Sequence, residues 1–412
     1  MDTSKFDFDK LAAEYGTPFY LYDMDQAVAH YNAITKHLPS QVGVYYCIKA
    51  NNNPRVMSIF KDHVPGIDIS SIGELDLATA VGYTPQQMSF AGPGKSDNEL
   101  RRAVENDIHL LSIESHNELT RLIAICKEMG KRINVTIRIN PLSIPNAFNM
   151  KMGGRPSQFG VPEEDVDPTV ELAKNAAEIE LKGIHVFSGT QCLDQPSIIE
   201  NLKQTLSISA RIAREHDIKP EIINLGGGFG VPYFPGQEAM DVDSLSKEAG
   251  ATIEAFVADE PRCKDTQFFF ELGRYMIGFF GVYVTRVLDI KETRGKRFVI
   301  MDGGMNHCFA ATGNFGQLVK KNYPVLNLSH SDAAASKCEV VGPLCTPLDS
   351  MARNIEMPAA EIGDLICFNN CGAYSYSASP LLFLGHDTPP EVVHYKGERQ
   401  IARPRRPGTF FT

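Results

Sequence analysis

"VGVYYCIKANNNP", residues 42–54, runs apolar as far as Ile48, delivers a single lysine, and then breaks into three asparagines and a proline. A short apolar, aromatic-rich run bounded by turn signals reads as a strand buried on both faces, with a helix opening at the proline. Seven further runs repeat the plan: "GIDIS" (66–70), "MSFAG" (88–92), "LLSIES" (110–115), "VTIRIN" (135–140), "GIHVFSG" (183–189), "EIINLGGG" (221–228) and "FFFELG" (268–273). Several are continuously apolar, as parallel strands covered on both sides should be. Helical patterns separate them. "SDNELRRAVEND" (96–107) opens on a capping serine, "SHNELTRLIAICKEMG" (115–130) ends in a glycine stop, and helices are also predicted over 166–180 and 198–217. Eight strand-then-helix units predict an α/β fold built on a closed, parallel (β/α)8 TIM-like barrel.

The rhythm changes after about residue 275. "GVYVTRVLDIKETRGKRFVIMDGG" (281–304) alternates with period two around "TRGK", which reads as a hairpin, and the remainder is punctuated by Gly and Pro. "TPFYLYD" (17–23) is strand-like and precedes the first barrel helix. The expected organisation is therefore a barrel over 28–274 and an all-β domain over 275–412, completed by residues 1–27. A chain of 412 residues accommodates both, and 43% hydrophobic against 22% charged residues suits a globular protein.

A net charge of −10 argues against a nucleic-acid surface, and the basic "RPRRP" (403–407) reads as a solvated tail. The acidic N-terminus lacks the apolar core of an export signal, and no apolar run approaches a membrane span. Nine cysteines without a CxxC pair fit reduced thiols in a cytoplasm and complete no metal set.

Two nucleotide signals fail. "GPGKS" (92–96) lacks the first P-loop glycine, because position 89 is Ser89, and "GGGFG" (226–230) lacks the third dinucleotide glycine, because position 231 is Val231. Three glycines ending the seventh strand still need a reason: either a tight turn, or an amide nest for a phosphate on the face where barrels place their sites. Lys49 ends the first strand on that face. Surface exposure is a lysine's usual state, but a partly desolvated lysine has a depressed pKa and reacts with aldehydes. Glu271 ends the eighth strand after three phenylalanines, a costly place for a carboxylate without a cation. An amine, a phosphate nest and a carboxylate on one face suggest a phosphorylated aldehyde, and pyridoxal phosphate fits all three.

With "YYCIKANNNP", "GIDISSIGEL", "FAGPGKSDNEL", "NLGGGFG", "ELGRY", "DGGM", "GPLCTPLD" and "CGAYSYS" in this order, the chain resembles the alanine-racemase-fold, pyridoxal-phosphate-dependent decarboxylases of the diaminopimelate and ornithine decarboxylase family. The resemblance implies that Lys49 carries the cofactor and that Glu271 keeps its ring nitrogen protonated. Gly226, Gly227, Gly228, Gly273, Arg274, Tyr374 and Thr190 would surround the phosphate. Asp68, Glu74 and Arg138 match supporting positions, for which structural ion pairing is the plain alternative. Cys345 would come from a partner subunit to protonate Cα, which implies a homodimer with shared sites.

Three positions depart from the family. Phe187 stands where a histidine stacks on the ring, Thr346 where an acidic residue grips a distal amine, and Gln158 where many members have lysine. Such changes are similar to those of the biosynthetic-cluster branch, which includes glutamyl-carrier-protein, siderophore-precursor and exosortase-associated decarboxylases. The implied reaction removes the α-carboxylate of an amino-acid head group on a larger, carrier- or citrate-linked intermediate; Lys151 and Arg155 would then meet a distal carboxylate, with solvated loop charges as the plain alternative. Diaminopimelate decarboxylase is the alternative enzyme and an inactive cofactor-binding homologue the alternative class. A racemase fits less well, since that branch places arginine where Glu271 stands.

Overall fold

The protein is described by a computed structural model over residues 1–234, 236–313 and 320–409. Eight strands pair in parallel, each with the next: Val42–Cys47, Ile67–Ile69, Met88–Phe90, Leu110–Ile113, Ile133–Asn140, Ile179–Val186, Ile222–Gly227 and Gln267–Leu272. The eighth returns to the first, from Phe268 beside Val42 to Leu272 beside Tyr46, and closes the barrel. The helices begin at the expected signals. Ser96 and Glu99 form a reciprocal capping box on Asp97–Glu105, and Ser115 caps His116–Met129, which stops at left-handed Gly130.

One boundary differs. The helix predicted over 166–180 ends at Asn175, and the sixth strand starts at Ile179 instead of Gly183. Residues 179–181 find ladder partners in Ile133, Asn134 and Val135, and this pairing overrides the helical local sequence.

The barrel strands also hide an alternation. Val44, Tyr46, Ile67, Ile69, Ile184, Val186, Phe268 and Phe270 join the apolar core beneath the helices. At the intervening positions, Tyr45, Leu110, Ile222 and Phe269 form a small separate cluster, with the rings of Tyr45 and Phe269 stacked at 4.2 Å. Further along the same register the positions turn polar: Asp68, Ser112, His185, Asn224 and Glu271 are all buried. An apolar floor thus carries a polar layer, which leads up to the strand ends.

In the second sheet, Phe19–Asp23 lies between Gly281–Thr293, antiparallel, and Glu391–Tyr395, parallel. Gly281–Thr293 turns into Lys296–Met301 through Arg294 and Gly295, both left-handed as a two-residue hairpin requires. Positions 314–319 and 410–412 of the expected β region lie outside the described residues. "RPRRP" is not a solvated tail. Arg403 donates to buried Glu391 (2.6 Å) and to Asn52, while Arg405 donates to the carbonyls of Thr17 and Pro18. The cationic groups serve to close the sheet that joins both chain ends. No helix among the described residues is long and apolar enough to cross a membrane.

Candidate active site

Beyond Cys47 the first strand tightens into a 3-10 turn over Ile48–Ala50, and Asn53 caps the helix Pro54–Lys61 through Arg55 and Val56. The preceding asparagine also has work to do. Asn51 donates to the Gly372 carbonyl (2.9 Å) while the Tyr374 amide donates to that of Ala50 (2.7 Å), so "ANNN" and "CGAYSYS" are sewn together. Lys49 sits inside this seam. Its side chain is 41% exposed, but that surface opens into a cavity of about 380 Å³.

Lys49 Nζ stands 3.6 Å from Asp68, a fully buried carboxylate whose oxygens accept no hydrogen bond among the described residues. Burial pushes the lysine's pKa down, but Asp68 first, then Cys47, Tyr374 and Glu271, reverse this and leave it raised. The expected depression of the lysine pKa is not met, because the acidic groups around Lys49, Asp68 first, more than offset its desolvation. Asp68 is itself pushed well up by burial and by Glu271, and Lys49 opposes that shift. Glu271 behaves oppositely. Burial raises its pKa, yet His185, Lys49 and the Asn224 amide together bring it down to about 2, so it is the ionised member of the pair. His185 Nε2 lies 3.4 Å from Glu271, and its Nδ1 is 2.7 Å from the Ser112 hydroxyl.

Arg274 occupies the other end. It donates to the Tyr233 hydroxyl (3.1 Å) and lies over the Tyr374 ring (4.5 Å). Its buried Nε has no hydrogen-bond partner, and no carboxylate among the described residues pairs with it. Burial lowers its pKa, but Tyr233 and Tyr374 more than offset this. An uncompensated buried guanidinium calls for an anion. Gly228 and Gly273 line the cavity beside it with Thr190 and Tyr374. Gly226 and Gly227 stand behind: a Cβ on Gly226 would strike the Val186 carbonyl and one on Gly227 that of Glu271, and the Gly226 amide already donates to Asn224. A Cβ on Gly228 would likewise strike the Gly189 carbonyl, so all three glycines meet close backbone approach, and Gly228 also lines the cavity.

Arg138 pairs with Glu114 (2.8 Å) and lies between the rings of Phe159 and Phe187. Phe187 lines the cavity. Glu74 does not: it accepts from the Ser70 amide (2.6 Å) at the start of the helix Ile72–Val81, which fits the structural alternative for this residue. Arg155 and Gln158 are exposed on their loop, and the Arg155 guanidinium donates to the Lys151 carbonyl. Neither they, nor Cys345, nor Thr346 line this chain's cavity. Cys345 is the one exposed thiol of the nine.

His185, Ser112, Asn224 and Glu114 were absent from the sequence reading. Each lies on the cavity-facing register of its strand: His185 two residues before Phe187, Asn224 two before Gly226, Ser112 two before Glu114. Counting back in twos from each strand end would have found them.

The geometry fits a phosphorylated aldehyde: an amine for the carbonyl, an ionised carboxylate for a protonated ring nitrogen, an aromatic face, and an unpaired guanidinium for the phosphate. Residues 24–278 match the family model for the pyridoxal-dependent decarboxylase, pyridoxal binding domain. The chain is 37% identical to the L-glutamyl-[BtrI acyl-carrier protein] decarboxylase of Niallia circulans, over 99% of this chain and 95% of that one. It is 33% identical to the 2-[(L-alanin-3-ylcarbamoyl)methyl]-2-hydroxybutanedioate decarboxylase of Staphylococcus aureus, over 90% and 92%. Among solved structures it resembles diaminopimelate decarboxylase from Helicobacter pylori complexed with L-lysine, with TM-score 0.85, 28% identity, and 98% and 97% of the two chains covered.

Proposed function

The chain belongs to the family of pyridoxal-dependent decarboxylases, and on that premise we propose that it removes the α-carboxylate of an amino-acid head group carried on a larger biosynthetic intermediate. Pyridoxal phosphate, when bound, supplies an electron-poor ring that accepts the electron pair left on Cα as CO₂ departs. The chain's residues do the rest. Lys49 would hold the cofactor through its amine, which Asp68 and Glu271 flank. Glu271, held ionised by His185 and Asn224, keeps a proton on the ring nitrogen. Arg274, Gly228, Gly273, Thr190 and Tyr374 would hold the phosphate, Gly226 and Gly227 shape the backbone behind them, Phe187 would offer an aromatic face to the ring, and Arg138, paired with Glu114, would support Phe187.

The observation that carries this reading is the convergence of Lys49, Glu271 and the uncompensated Arg274 on one cavity, with buried Asp68 behind Lys49. The larger substrate is supported by the two relatives above, whose names place the amino acid on a carrier protein or a hydroxybutanedioate, and by neutral Thr346. Cys345, outside its own chain's cavity and exposed, is read as reaching a second copy's site to return a proton to Cα, with Thr346 beside it at the substrate. This makes the protein a homodimer.

The test is spectroscopic first. Purified protein should show a visible cofactor band abolished by borohydride, and folded Lys49→Ala should lack it. CO₂ release from an L-glutamyl carrier protein should then exceed release from free meso-diaminopimelate. Robust turnover of the free diamino acid would overturn the substrate assignment. Mixing inactive Lys49→Ala with inactive Cys345→Ser should restore turnover through mixed dimers.

A further inference from the structure

Ala91, Pro93, Met150, Met152 and Phe159 give the cavity an apolar wall, and Arg138 lines the same cavity. Arg138 is already committed, bonded to Glu114 and sandwiched between two rings. Among the described residues that line the cavity, the other charged groups are Lys49, Glu271 and Arg274, which the cofactor would engage, so the wall itself offers an arm apolar side chains.

This wall is built rather than draped. Met150–Lys151 pairs with Gly189–Thr190, so that Met150 stands opposite Thr190 at the phosphate end. The amides of Met152 and Gly153 both donate to the Ser188 carbonyl at 2.9 Å. Gly154 is tied to Asn140 (3.1 Å) and Gly160 to Glu114 (3.2 Å). Period-two alternation puts Met150 and Met152 towards the cavity and turns Lys151 away, where its ammonium donates to Asn146 (2.9 Å). Both cations are bonded within the loop, Lys151 to Asn146 and Arg155 to the Lys151 carbonyl, which agrees with their plain reading as loop charges.

We propose that Met150, Met152, Phe159 and Pro93 form a slot for an uncharged linker, of amide or thioester type, which joins the reacting amino-acid head to the rest of the substrate. The proposal rests on the decarboxylase reading and adds the chemistry of the arm next to the head group. An ammonium or carboxylate entering the slot would lose water and find no counter-ion, whereas a carbamoyl or acyl group loses less and packs against polarisable thioethers. The carbamoyl group of the Staphylococcus relative's substrate is of this kind.

The test uses holoenzyme and matched pairs differing in the charge of the arm: N3-acetyl-2,3-diaminopropionate against 2,3-diaminopropionate, and glutamine against glutamate. Binding is read from the change in the cofactor's visible absorbance, and turnover from CO₂. The neutral member should win each pair by about tenfold or more. Met152→Glu should shift preference towards 2,3-diaminopropionate and away from glutamate. Equal or better use of the charged members, or an unchanged preference in Met152→Glu, would overturn the slot. Protein without a visible cofactor band would overturn the parent reading instead, so the two failures are told apart.

Discussion

His30 is a neutral, mostly buried imidazole among the rings of Tyr275, Phe279 and Phe280, and burial lowers its pKa to about 4. Between that value and about 6.5 the unfolded chain binds a proton that the folded chain refuses, so this residue's contribution to stability falls as pH drops through the window. Full titration corresponds to about 3 kcal/mol. The urea midpoint of the wild type should therefore fall more steeply from pH 7 to pH 4.5 than that of His30→Leu. Equal slopes would show that the imidazole is not held neutral. At this scale the sequence was partly legible. Lys49 and Glu271 stand out because a charge ending an apolar run is costly and demands a reason. His185 and Asn224 do not, because a polar residue inside a strand reads as ordinary alternation until the barrel closes and turns that face inward.

At the scale of elements, the turn after the seventh strand is set by backbone clearance. Gly226 (φ +64°) and Gly228 (φ +93°) occupy the left-handed region, and a methyl on Gly227 would enter the Glu271 carbonyl across the ladder. Gly227→Ala should lower the chemical-denaturation stability by about 1–3 kcal/mol, as overpacking does. It should also loosen cofactor retention on dialysis, because the eighth strand that carries Glu271 must move to admit it. Unchanged retention with lowered stability would confine the glycine to packing. Strand order and helix caps were readable from local chemistry, since Ser96, Ser115 and Gly130 act on their own neighbours. The start of the sixth strand was not: residues 179–181 become strand only because Ile133–Val135 lie alongside, and that pairing depends on the closed barrel.

Over the whole molecule, Glu391 is fully buried and held by Arg403 (2.6 Å) and the Tyr22 hydroxyl (2.6 Å), while Arg403 also grips Asn52, close after Lys49. Arg403→Ala leaves that carboxylate without its cation and should cost about 3–5 kcal/mol in denaturant unfolding. Adding Glu391→Gln should recover most of the loss, and failure to do so would place the cost elsewhere. The seam explains why "RPRRP" misled: basic residues near a chain end look solvated when nothing in the sequence reveals the anion they meet across the fold.

Phe19–Asp23 is made early in synthesis, yet both strands that flank it are made late, and Glu391–Tyr395 nearly last of all. A growing chain therefore carries an unpaired, apolar "FYLY" strand until Gly281–Thr293 is made, and one open edge until Glu391–Tyr395 follows, at the stage when such edges are most prone to stick to other chains. The second sheet cannot be completed until Glu391–Tyr395 is made, and the Asn52 contact that braces the Lys49 turn waits for Arg403 beyond it. Nascent chains should thus acquire the barrel before they acquire a fully braced Lys49.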